Sequence, residues 1–299
     1  MTAQTVPYKA KAFDLRNLAF FFLIVYGLQV LKYGLLYTGV IKIPSGEGLA
    51  ALSAGPGILL ITLASWGPLI AAFLVTAVSA GRDGIKALWG RFWNRNLSLK
   101  WLLVTLLLLP ALALISNLIS RAVNGVEYPV FNLPDPAWTV ILTFLSAFVF
   151  NGMLEEFGWR GFVLPRFQAR WNALISSLIL GILWAAWHFG QWLIPAIGRS
   201  ESIGGFTLRI VLEAVMITWI FNNTKGSVLA ACLYHAMVNT LPIGIGSIWI
   251  FYGVQIFAVA LIGVVFGPKS LNRQVSGNNP AAEKSLVSQG GGYVGHSGG

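Results

Sequence analysis

Residues 137–160 read AWTVILTFLSAFVFNGMLEEFGWR, and this stretch decides what kind of molecule the chain is. Its first eighteen positions, 137–154, hold no charged side chain, close to the roughly 20 apolar residues a helix needs to cross a bilayer. The run then ends in two adjacent acids, Glu155 and Glu156, with Arg160 following. An ionisable side chain at bilayer depth costs about 2.5–3.5 kcal/mol on insertion scales. A chain that keeps several there, of types suited to activating water, points to chemistry at that place.

The rest of the chain has the same character. Of its 299 residues 56% are hydrophobic and 10% charged, against roughly 25% charged in soluble domains. The mean hydropathy is +0.73. About eight stretches approach spanning length: 18–37, 57–79, 101–119, 137–154, 173–195, 206–221, 227–246 and 249–266, the last two readable as one broken unit. The composition therefore predicts an all-α polytopic membrane protein with about eight transmembrane helices. One helical membrane domain is expected over 17–267, between a cytoplasmic N-terminal segment, 1–16, and a C-terminal tail, 268–299, whose composition predicts disorder.

A net charge of +10 could indicate nucleic acid, but its distribution argues otherwise. Lys9, Lys11 and Arg16 precede the first span, and Arg82, Lys86, Arg91, Arg95 and Lys100 fill the second connection. Arg166 and Arg170 follow the fourth span, Lys225 the sixth, and Lys269 and Arg273 the eighth. The odd connections carry only Lys42, Arg121 and Arg199. That alternation is the positive-inside pattern, which predicts both termini in the cytoplasm. Within the second connection, residues 81–100 mix Trp89, Phe92 and Trp93 with basic side chains and read as an amphipathic surface helix. A single cysteine, Cys232, excludes an intramolecular disulfide and a thiolate metal cluster. The polar, basic start and the full-length first apolar run predict no cleavable leader. No internal repeat favours an inverted-repeat transporter. His296, in the tail, has no acidic or cysteine neighbour and is assigned no role.

Only two histidines, His188 and His235, lie inside apolar segments. Glu155 and His188 are 33 residues apart, with their midpoint at 171–172 in a polar stretch. If spans four and five form a hairpin turning there, both residues stand roughly 20–25 Å from the turn at 1.5 Å per residue. This requires span four to continue helically through Arg160. His235, ten residues past Lys225, would lie about 15 Å into span seven. All three can then meet in the cytoplasmic half of the membrane.

Helical facing divides the roles. Glu156 and Arg160 share a face at i, i+4, as do Trp184 and His188, and His235 and Asn239. Glu155 points about 100° away from Glu156, which leaves it free of the arginine and available as a general base for water. Asn239 offers an amide donor suited to an oxyanion. Structural readings stand beside these. A Glu–Arg pair in a helix can be a simple tie, and a membrane histidine can be a hydrogen-bonding packing residue. Arg209 and Glu213 read as a structural pair near the outer interface, and Lys32 can snorkel or line a cavity.

The succession Glu155-Glu156-Phe-Gly-Trp-Arg160, then Trp184-Ala-Ala-Trp-His188, then His235-Ala-Met-Val-Asn239 resembles the CPBP family. That family groups type II CAAX prenyl endopeptidases with bacteriocin-processing and abortive-infection-like proteins. Its pattern is EExxxR, FxxxH and HxxxN or HxxxB, and this chain departs from it in having Trp184 where Phe is usual. The resemblance covers about 135–245. It implies an eight-helix intramembrane endopeptidase whose cavity opens towards the cytoplasm and whose substrate is a membrane-associated or prenylated, CAAX-type protein. Carried over, Glu155 would activate water with help from His188, His235 and Asn239 would stabilise the oxyanion, and Glu156 and Arg160 would shape the site. Family members are described both as metalloproteases and as glutamate enzymes. Glu155, His188 and His235 could hold zinc with an open position, but the HExxH signature is missing and the metal-free route is preferred. The rival functions are a membrane scaffold or bacteriocin-immunity-type protein and a small-solute transporter.

Overall fold

A computed structural model describes residues 14–42, 56–93, 97–125, 135–197, 201–241 and 244–272. The expected N-terminal segment, apart from 14–16, and the tail from 273 onwards, with His296, lie outside the described residues, as do Arg95 and Arg199. The described chain is helical and, among the described residues, without strands. In order come α1 (Leu15–Tyr37), α2 (Pro56–Ser65), α3 (Gly67–Gly90), α4 (Leu99–Asn124) and α5 (Thr139–Gln168). They are followed by α6 (Ala173–His188), α7 (Ile203–Asn223), α8 (Val228–Thr240) and α9 (Ile248–Phe266). A short polar residue opens most of them. Asp14, Ser98, Asn172, Ser202, Ser227 and Ser247 each accept a hydrogen bond from a backbone N–H in the first turn, satisfying one of the donors a helix start leaves orphaned.

Seven of these elements, α6 counted with its continuation to Leu193, are long and apolar enough to span a membrane. Two expectations need correction. The stretch 227–246 holds only a 13-residue helix, α8, about 20 Å long at 1.5 Å per residue and short of a roughly 30 Å hydrocarbon core. Thr240 ends it, and Asn117 of α4 takes up the backbone that follows: its amide donates to Gly244 O at 2.5 Å and accepts from Gly246 N at 2.9 Å. Irregular backbone between apolar helices needs such partners because no lipid group can supply them. The stretch 57–79 is likewise divided, at Trp66, into α2 and α3.

The basic connection is more than a surface anchor. Through a bend at Gly81, whose φ is +60°, α3 continues to Gly90. Trp89 and Phe92 stack on Phe157 of α5 with centroids 5.4 and 5.6 Å apart. Arg91 Nη1 donates to Gly161 O at 2.7 Å. These contacts brace α5 immediately beside the paired acids.

Two glycines let α5 pass closely between its neighbours. A Cβ at Gly158 would stand 2.5 Å from Pro68 Cβ of α3, and one at Gly152 only 2.7 Å from Cys232 O of α8. Small residues at such crossings let backbones approach. The Gly152–Cys232 crossing lies one turn from both Glu156 and His235, so it sets the separation of those two side chains.

Candidate active site

Helix α5 runs unbroken past Arg160, as the hairpin arithmetic requires, but its winding is irregular. Two π-helical segments, Phe148–Met153 and Phe157–Val163, flank a single α-helical turn, Leu154–Glu156. Such segments widen the helix locally and are frequent at functional sites. Here they frame the two acids. The hairpin turns at Gln168–Asn172, where Asn172 caps α6.

Glu156 is fully buried, and its Oε1 accepts from Arg160 Nη1 and lies against His235 Nδ1, both at 2.8 Å. The Arg160 pairing matches the i, i+4 facing. The histidine contact crosses from α5 to α8 and has no local sequence signal. A carboxylate beside Nδ1 makes Nδ1–H the donor and turns Nε2 to the remaining space. Arg160, also fully buried, sets its guanidinium 4.6 Å from the centre of the Trp184 ring, a cation–π contact.

Glu155, 5% exposed, has a different partner. Its Oε2 accepts from Trp184 Nε1 at 2.6 Å. Trp184, expected to matter as an aromatic, thus also supplies a donor that phenylalanine lacks. The signal was in the sequence, as the departure from FxxxH. One turn further on, His188 Nδ1 lies 2.9 Å from Trp184 O. A carbonyl only accepts, so Nδ1 carries the proton and Nε2 is the acceptor nitrogen.

Glu155, His188, His235 and Asn239 line one cavity of about 200 Å³. Asn239 Nδ2 donates to His235 O at 3.3 Å within α8, which leaves its second amide hydrogen for another acceptor. Helix α1 contributes Lys32, 7% exposed, so the lysine lines the cavity and does not snorkel to water. Zinc finds no ready cradle. Among the described residues no three His, Cys, Asp or Glu side chains converge to hold a metal ion.

The other lining residues include Lys32, Phe150, Asn151, Gln191 and Arg209. From the level of Glu155 they lead towards the ends of α1, α5, α6 and α7 that the first, third and fifth connections join. The basic second, fourth and sixth connections lie at the opposite ends.

Comparison with known proteins bears on the same region. Residues 136–241 match the family described as type II CAAX prenyl endopeptidase Rce1-like. The chain is also 27% identical over 221 residues to CAAX prenyl protease 2 of Methanococcus maripaludis, an alignment covering 70% of this chain and 79% of that protein. The matched family segment contains Glu155, Glu156, Arg160, Trp184, His188, His235 and Asn239.

Proposed function

We propose that this chain, similar to the type II CAAX prenyl endopeptidases over its central helices, is an intramembrane endopeptidase. It hydrolyses a peptide bond near the C-terminus of a membrane-associated or lipid-modified protein. The observation that carries this reading is the convergence of Glu155, His188, His235 and Asn239 on one polar cavity inside apolar helices. Glu155 takes one proton from water while His188 Nε2 accepts a hydrogen bond from the O–H that remains and so orients the oxygen. The hydroxide attacks the scissile carbonyl, and the oxyanion accepts from the Asn239 amide and from Nε2–H of His235, whose ring acts as the doubly protonated imidazolium that the Glu156 carboxylate beside Nδ1 stabilises. Glu155 then returns its proton to the leaving amine as the C–N bond breaks. Glu156 and Arg160 hold His235 in place.

Co-expression with candidate substrates, read by mass spectrometry of the products, tests this. Wild type yields a truncated C-terminus, and Glu155→Gln yields it about 10²–10⁴-fold more slowly at matched expression. Cleavage by Glu155→Gln at the wild-type rate would remove the assignment of the base. A scaffold or immunity factor would instead work equally well with Glu155, His188 and His235 all replaced by alanine, and a transporter would show Glu155-dependent solute flux in vesicles.

Orientation follows from the charge asymmetry: the basic connections, and with them the termini, lie in the cytoplasm, and the cavity leads to the other face. The sole native cysteine, Cys232, is fully buried, so single cysteines can be labelled cleanly. A cysteine at Lys225 is expected to resist an external impermeant reagent, while one at Glu201 reacts. The reverse pattern inverts the molecule and puts the mouth in the cytoplasm.

A further inference from the structure

The catalytic cavity adjoins a larger one. A space of about 680 Å³ lies among α4, α7, α8 and α9, and the two cavities share Arg209, Val238 and Asn239. The larger one falls within the roughly 300–1,000 Å³ of small-ligand sites. The shared wall includes the proposed oxyanion donor, Asn239, so the larger space lies directly beside the reacting carbonyl.

Arg209 is held ready at that wall. Its partner is not Glu213, as the i, i+4 spacing predicts, but Glu201 before the start of α7. Nε and Nη2 donate to the two carboxylate oxygens of Glu201 at 3.2 and 2.9 Å. Tyr252 of α9 adds a donor to Glu201 Oε1 at 2.7 Å. Two of the three guanidinium nitrogens are thereby locked, and Nη1 is the one Glu201 does not take. The second acid of the wall, Glu213, is 1% exposed, with Oε1 accepting from Gln255 Nε2 and Oε2 from Tyr234 OH, both at 2.7 Å. Both wall acids are thus already supplied with donors. The remaining charged groups of the catalytic side are Glu155 and Lys32, with His188 and His235.

We propose that the larger cavity receives the C-terminal fragment of the substrate and that Arg209 binds its terminal carboxylate. The inference rests on the endopeptidase reading. A C-a-a-X tail carries three residues beyond its modified cysteine, about 10 Å when extended, and both the oxyanion donor Asn239 and Arg209 line the adjoining space. An arginine presents a planar array of N–H donors matched to a carboxylate, and this one is pre-oriented by Glu201.

The test compares a lipidated peptide ending in a free acid with the same peptide ending in an amide. Wild type is expected to cleave the acid at least about tenfold better in kcat/KM, the order of one charge-assisted hydrogen bond. In Arg209→Gln the ratio falls towards one while the amide is still cleaved. A ratio near one in wild type, or an undiminished ratio in Arg209→Gln, overturns the proposal. If Arg209→Gln does not fold, Arg209→Lys is read the same way, since lysine keeps the charge without the bidentate hold of Glu201 and must lower the ratio. Failure of the endopeptidase reading looks different: neither peptide is cut by wild type, or both are cut by Glu155→Gln at the wild-type rate.

Discussion

Glu155 and Glu213 are the same residue in nearly the same burial, 5% and 1% exposed on apolar helices, yet their surroundings prepare them for different work. Glu213 has a neutral donor on each oxygen, Tyr234 on one and Gln255 on the other, so it ties α7 to α8 and α9. Glu155 accepts on one oxygen from Trp184, has the Trp159 indole beside its carboxylate as well, and faces a cavity with two histidines and a lysine. A buried carboxylate saturated with donors is a joint between helices. One that also lines a polar cavity can, as proposed above, meet a water molecule there.

The largest effect that separates the two is chemical. Glu155→Gln should lower the cleavage rate by about 10²–10⁴-fold, the usual contribution of a general base. Glu213→Gln should change it far less, because glutamine still accepts on one oxygen from one of the two donors. Equal losses in the two variants would erase the contrast. Next comes the neighbour that is a joint and part of the site at once. Glu156→Ala strands Arg160, and breaking a buried pair by removing one partner costs about 3–5 kcal/mol; the detergent-solubilised protein should melt markedly earlier. Replacing Glu156 and Arg160 together with apolar residues should recover most of that stability without restoring activity.

A smaller effect addresses the Trp184 donor on Glu155. Trp184→Phe keeps the ring but removes a hydrogen bond to a charged group, worth about 1.5–3 kcal/mol, and should lower kcat about tenfold or more with little change in KM. An unchanged kcat would show that the indole serves packing alone. The smallest effect probes the helix crossing. Gly152→Ala forces a Cβ to within 2.7 Å of Cys232 O, an overpacking that costs about 1–3 kcal/mol and moves His235 away from Glu156. Gly27→Ala, with nothing within 4 Å of its Cβ, is the control and should leave melting and activity alone.

Much of this arrangement is legible along the chain. The apolar runs locate α1, α4, α5, α7 and α9 because a bilayer leaves few choices of length and composition. The i, i+4 spacing announces the Glu156–Arg160 contact, since helical neighbours meet whatever surrounds them. The hairpin midpoint puts Glu155 and His188 on the lining of one cavity. Local spacing fails where a side chain has a choice of partners. Arg209 is four residues from Glu213 but bonds Glu201, and Trp184, readable as an aromatic, turns its nitrogen to Glu155.

Composition and motif spacing by themselves determined a helical membrane protein whose acids and histidines fall at matching depths, because bilayer length and helical period act within a segment. Only the tertiary structure decided that α8 stops at Thr240, that Glu156 holds His235 while Trp184 holds Glu155, and that Arg209 lines two cavities at once. Each of those depends on contacts between helices distant in sequence, where backbone approach at glycines and the competition among donors for a few buried carboxylate oxygens choose the partner.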